Sequence, residues 1–212
     1  QPPVAGRFIF WASFPGECLV GPGGARCTTE LKKRVRYGFE HPHDIQVFGY
    51  TSDEQDRADR FREQNPGITL LTPLIDRGIT KDDCLALIAR QGIEVPAMYL
   101  LGYSNNNCIG CVKGGMGYWN KIRVDFPEVF ERMAQLERTM NRTVLRDKIP
   151  DGTYTVAVID EDGNDTDETV TKTRYKSVPL FLDELDPSRG NPLTEPAFEC
   201  GLVCATVEES FT

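Results

Sequence analysis

The sequence predicts an α/β chain: a parallel sheet with flanking helices, then a C-terminal helical segment and a β-hairpin. Three observations carry this. Short apolar runs alternate with amphipathic helical stretches between residues 45 and 91, the pattern of βαβ units. Two more helical periodicities follow within 117–141, the second of them strongly amphipathic. Beyond them, two alternating stretches flank an acidic turn at 160–165, as a hairpin requires.

Residues 1–26, rich in glycine, proline and aromatic residues, read as irregular, with Gly21-Pro22-Gly23-Gly24 a strong turn. Thr28 caps a helix expected to reach Phe39, with Leu31, Val35 and Phe39 on one apolar face. Its polar face carries Lys32, Lys33, Arg34 and Arg36, the most basic stretch of the chain and a candidate anion site. Ile45 to Tyr50 reads as a buried strand, Asp53 to Gln64 as a helix closed by Asn65-Pro66-Gly67, and Ile68 to Leu71 as a second strand. Thr80 caps the next helix, 81–91, which Gly92 stops. Parallel sheets of this kind hold ligands at the carboxyl ends of their strands.

Helices are expected at 117–124 and 127–141, the latter with a core stripe of Val129, Phe130, Met133, Leu136 and Met140. Thr153–Ile159 and Thr169–Tyr175 form the hairpin strands. The acidic run between them has its glycine at the fourth position, not the sixth that a calcium loop of the EF-hand type needs, so it reads as a plain tip. Val178 to Leu185 is expected to be a short final helix. Two units result: 1–147, the α/β unit, and 148–212, a hairpin with a cysteine-containing appendage.

Composition narrows the function classes. The 212 residues are 40% hydrophobic and 26% charged, ordinary for a soluble globular protein. A formal charge of −8 argues against a non-specific grip on nucleic acid, which needs clustered cations, while leaving room for a local basic pocket. No apolar run reaches membrane-helix length, and without a leader the two Asn-x-Thr sequons at Asn141 and Asn164 read as chance; the expected location is cytoplasmic. The chain opens at Gln1 rather than methionine, so the translational start is expected upstream.

Seven cysteines are too few for a disulfide scaffold at this length. Cys108-Ile109-Gly110-Cys111 and Cys200-Gly201-Leu202-Val203-Cys204 are paired, with Cys18, Cys27 and Cys84 apart. A CxxC turn brings two sulfurs within about 4 Å of each other, as tetrahedral zinc or iron needs. Two thiolates do not close a site, so Cys27, Cys200 and Cys204 are the further candidate ligands. Cys84 is expected to be a buried thiol in a helix, Cys18 a loop residue, and His41 and His43 surface residues.

Several motifs in register then carry a resemblance over about residues 20–147: Arg26-Cys27-Thr28-Thr29-Glu30-Leu31-Lys32-Lys33, Gly49-Tyr50-Thr51-Ser52-Asp53-Glu54-Gln55-Asp56-Arg57, Pro73-Leu74, Pro96-Ala97-Met98-Tyr99, and Gly102-Tyr103 leading to the Cys-Ile-Gly-Cys turn. Together they resemble the phosphoadenosine-phosphosulfate reductase family, and the tail from Glu199 to Cys204 resembles the cysteine-rich ending of its phage and bacterial members. The resemblance implies an adenine nucleotide α-hydrolase-like fold, which makes 1–147 a unit of nucleotide-binding type, with an adenine nucleotide as substrate, sulfur chemistry, and a reductant protein as partner. It implies that Cys27, Cys108 and Cys111 match positions holding a four-iron (4Fe-4S) cluster, with zinc the alternative. It also implies that Lys32, Lys33 and Arg57, with Glu54, meet phosphate or sulfate oxygens. The family's Ser-Gly-Gly-x-Asp-Ser phosphate loop is not in this sequence and is expected upstream of Gln1. Thr51 stands where many members have arginine, and Cys27 is single where cluster-binding members have adjacent cysteines. Two other readings stay open: a sulfur transferase of the ATP-pyrophosphatase type acting on nucleic acid, and a non-catalytic relative stabilised by zinc.

Overall fold

The computed structural model describes residues 20–21, 24–28, 33–41, 43–159 and 165–195. Among them the chain is mixed α/β, with three two-stranded sheets. β1 (Val20–Gly21) and β2 (Gly24–Ala25) pair antiparallel and lead into α1 (Arg26–Thr28) and α2 (Arg34–Phe39). Of the helix expected over 28–39, the described residues are helical at Arg26–Thr28 and Arg34–Phe39, and 29–32 lie outside the described residues. Its expected apolar face is also not buried: Val35 is 65% and Phe39 85% exposed. The inward-facing residue is Arg36, whose guanidinium lies 5.6 Å from the Phe61 ring and pairs with Glu40 at 3.1 Å. The stem and planar head of an arginine pack on aromatic surface as well as an aliphatic chain does, and here that decides which face turns in.

The βαβ unit is present. β3 (Ile45–Val47) and β4 (Thr69–Leu71) pair in parallel with Ile45 opposite Thr69 and Val47 opposite Leu71, and α3 (Gln55–Gln64) crosses between them. Ala58 and Phe61 are the buried residues of α3. Phe61 meets Phe48 edge-on at 4.9 Å, and Phe48 meets Tyr50 at 5.4 Å. Both strands are shorter than expected, and Ile45, Val47 and Leu71 are exposed. α4 (Lys81–Arg90) starts on a capping box, in which Thr80 and Asp83 each accept the other's backbone N–H. A short helix not anticipated from the sequence, α5 (Ala97–Leu100), follows.

The main core lies around α6 (Met116–Asp125) and α7 (Pro127–Met140). Pro127 opens α7, and Asn141 ends it in the left-handed conformation at φ 50°. Trp119, Ile122, Phe130 and Ala134 pack with Leu145, Leu182 and Leu185, and the stripe residues Val129 and Met133 lean on them. Within this core, Glu137 is fully buried and accepts Val144 N–H at 2.6 Å and Leu182 N–H at 2.7 Å. One carboxylate therefore holds the chain entering the hairpin and the chain leaving it. Burial pushes its pKa up, against the lowering by those two amides.

The hairpin is longer than its alternating stretches predict: β5 (Leu145–Ile159) pairs antiparallel with β6 (Asp165–Leu180). A register break between Pro150 and Thr153, with Gly152 at φ 93°, interrupts the alternation and conceals the first half of β5. No helix spans Val178–Leu185. β6 runs through to Leu180, and Leu182–Glu184 makes one 3-10 turn whose first N–H goes to Glu137 instead of into a helix. Among the described residues no helix is long and apolar enough to cross a membrane.

Candidate functional site

The Cys108–Cys111 turn is held from one side by a phenol. Gly110, at φ 73°, lets the chain reverse between the two cysteines. Cys111 is buried and Cys108 exposed. Tyr118, on the first turn of α6, accepts the Cys111 N–H at 2.9 Å and donates to the Cys108 carbonyl at 2.8 Å. A single hydroxyl so fixes the backbone spacing of both thiols. The aromatic chain Tyr103–Tyr118–Trp119–Phe130, with edge-on contacts of 5.8, 5.7 and 6.4 Å, anchors that phenol in the core.

Burial pushes the Tyr118 phenol above its ordinary value. Burial does the same to Tyr103, with the Asp125 carboxylate adding to it. Both folded-state values lie above the unfolded value of about 10, so the folded chain keeps protons that the unfolded chain releases. Their contribution to stability is complete below about pH 10 and falls as pH rises from there toward the folded-state values. Urea midpoints should fall as pH rises above about 10, and Tyr118→Phe should make the decline shallower.

The approach to α6 is built for close backbone packing. A Cβ on Gly114 would overlap the Tyr118 ring, and one on Gly115 would lie 2.7 Å from a Glu195 carboxylate oxygen. Glu195 accepts Gly117 N–H at 2.5 Å and Tyr118 N–H at 3.1 Å, placing a negative charge at the positive end of a ten-residue helix. The segment 190–195 is thereby fastened to the helix that carries the cysteine clamp.

The expected anion residues Glu54 and Arg57 are together, just beyond the carboxyl end of β3. They form an ion pair, and the Arg57 guanidinium lies 5.0 Å from the Tyr50 ring centre. Glu54 also accepts Thr51 N–H at 3.1 Å, closing a capping box. Arg57 and Phe61 are one turn apart on α3, and Arg36 of the basic helix covers Phe61, so the two cationic motifs meet on one aromatic cluster. Lys33 is half-buried at the start of α2; Lys32 lies outside the described residues.

Lys81 connects the two regions, and its role is not evident from its position at the start of a predicted helix. Its backbone N–H is accepted by Asp53 at 3.2 Å, and Asp53 adjoins Glu54. Its ammonium donates to the Ser104 carbonyl and, at 2.6 Å, to Asn105 Oδ1, three residues before Cys108. The sequence reading also missed Tyr118 and Glu195. Only the asparagine- and glycine-rich composition around the CxxC turn hinted at such a scaffold.

None of Cys27, Cys84, Cys108 and Cys111 forms a disulfide. Cys27 is half-buried, and so is Cys84, which was expected to be a buried thiol; His41 and His43 are exposed, as expected. Cys108 and Cys111, one exposed and one buried, supply the donor type that zinc and iron–sulfur sites use. Among the described residues no group of three or more His, Cys, Asp or Glu is arranged to hold a metal ion; Cys18, Cys200 and Cys204 lie outside those residues. Comparison of the chain with family models, with curated proteins and with solved structures finds no match.

Proposed function

We propose that the chain is a cytoplasmic, nucleotide-dependent sulfur-chemistry enzyme resembling the phosphoadenosine-phosphosulfate reductases, with a four-thiolate iron–sulfur site. The observation that carries the reading is the Asp53–Lys81–Asn105 linkage, which ties the Glu54/Arg57 turn to the loop of the cysteine turn. An anion site and a thiolate site that must act on one substrate need this kind of rigid connection. Two-stranded β3–β4, with exposed Ile45, Val47 and Leu71, is read as part of a larger parallel sheet, since apolar strand faces of this type are normally covered.

Cys108 and Cys111 supply two of the thiolates. Glu195 supports the tail as the source of others: it is bound at Tyr118 N–H, and Cys200 follows five residues later. Five residues span up to about 17 Å, enough to reach a turn one tyrosine side chain away. Cys27, on the short helix before the basic stretch, is the remaining candidate beside Cys200 and Cys204. A four-iron cluster bound there would supply one-electron transfer, with a reductant protein as partner. The protein's own residues hold the turn, through Tyr118, and bind the anion, through Arg57 with Lys33 and Lys32. Glu54 aims the guanidinium, and the adenine nucleotide places its phosphate or sulfate oxygens against it.

Calorimetry on the full-length protein with adenosine phosphosulfate, its 3′-phosphorylated form and ATP tests this. One of the three should bind, and Arg57→Ala should weaken it by about ten- to hundredfold, the value of one charge-assisted contact. Binding of ATP alone would move the reading to the pyrophosphatase-type transferase. No binding by any of the three, or an Arg57→Ala protein that binds as tightly as the parent, would leave the zinc-stabilised, non-catalytic relative.

A further inference from the structure

The β5–β6 ribbon is long for two strands, and beyond Pro150 most of it stands in solvent: residues 150–155 of β5 and 169–177 of β6 are exposed. Among the described residues no third strand pairs with this shaft.

The two faces of the shaft differ in kind. Lys172, Arg174 and Lys176 are alternate residues of β6 and so share one face. Two contacts agree with that placement. The Arg174 guanidinium lies 5.9 Å from the ring centre of Tyr154, which stands opposite Lys172, and the Lys176 ammonium lies 3.3 Å from Asp151. The other face carries Thr171 and Thr173 opposite Thr155 and Thr153, hydroxyls without charge. Solubility would be served by cations on either face. Three in a row beside an aromatic ring, in a chain of formal charge −8, are a local basic strip of the kind that grips phosphates.

We infer that this face binds single-stranded nucleic acid. Alternate residues of a strand stand about 6.8 Å apart, comparable to neighbouring phosphates on an extended nucleic-acid strand, so the three cations match three successive phosphates. Tyr154, 41% exposed, offers its ring to a base, and Arg174 beside it adds a cation to the stack. The Lys176–Asp151 pair is about half exposed on both sides; exposed pairs contribute little, so a phosphate can replace the carboxylate. The acidic turn limits the footprint to the shaft. Its last carboxylate, Glu168, is four residues before Lys172, about 13 Å along a strand and beyond the screening length of about 8 Å at physiological salt. The inference uses neither the anion site nor the thiolate site, and stands apart from both.

Fluorescence anisotropy of a labelled oligothymidylate with the full-length protein tests it. The parent should bind, with log K falling against log salt at a slope of about −2, the value for three phosphate contacts on a single strand. Lys172→Ala/Arg174→Ala should bind at least about tenfold more weakly at low salt and flatten the slope to about −0.7, one contact. Thr171→Glu/Thr173→Glu changes the net charge equally on the opposite face and should stay within about threefold of the parent. Tyr154→Ala should lose about fivefold or more with the stacked base. A parent that does not bind, equal losses in the two double variants, or a Tyr154→Ala protein that binds like the parent would each overturn the inference. Binding to phosphatidylserine vesicles without binding to the oligonucleotide would overturn it too, and would make the face a membrane contact.

Discussion

Gly117→Ala should cost about 3 kcal/mol of stability or more, a large effect for one methyl group. A Cβ at this position would lie 2.5 Å from Pro192 N and 2.6 Å from Asn191 C. Those are backbone atoms, so no side-chain rotation relieves the overlap, and overpacking of this kind costs about 1–3 kcal/mol. The only escape is to lift 190–195 off α6. That breaks the Glu195 bonds to Gly117 and Tyr118 N–H, each charge-assisted and worth about 1.5–3 kcal/mol. Gly67→Ala is the internal control, because a Cβ there meets nothing within 4 Å. Urea midpoints should separate the two variants clearly. If Gly117→Ala unfolds at the same midpoint as Gly67→Ala, the close seating of 190–195 on α6 is wrong.

Glu137→Ala should cost about 2–6 kcal/mol. Its two oxygens are the partners of Val144 N–H and Leu182 N–H, and each buried donor left unpaired costs about 1–3 kcal/mol. Both donors flank the hairpin, so the loss should be concentrated there. Hydrogen exchange at Val144 and Leu182 should accelerate well beyond exchange in α3, which Glu137 does not touch. Glu137→Gln keeps one acceptor and should fall between parent and alanine variant. Equal exchange rates throughout would show that Glu137 does not pin the roots of the hairpin.

The contrast between what the sequence disclosed and what it hid has a physical basis. The βαβ unit, α4, α6 and α7 were legible because their caps and apolar periods lie within a few residues of one another: Thr80 with Asp83, Pro127 with the stripe beginning at Val129. Glu54 and Arg57 are neighbours on one helical turn, so their pairing was also within reach. The 28–39 helix misled because Val35 and Phe39 satisfy an apolar pattern while Arg36, packed on a distant ring, sets the buried face. Leu182 left the predicted final helix for a carboxylate 45 residues away. Tyr118, Lys81 and Glu195 act across 7 to 78 residues of chain, and no local pattern records such partners.

Anaerobic purification followed by metal analysis and visible absorption is the direct test of the proposed thiolate site. A coloured protein with about four irons per chain is the expected result, the content of one cubane cluster. Cys108→Ser/Cys111→Ser should lose both colour and iron, and Tyr118→Phe, with its turn unclamped, should bind iron less tightly. A colourless parent holding stoichiometric zinc and no iron, or iron content unchanged by removal of both cysteines, would contradict it.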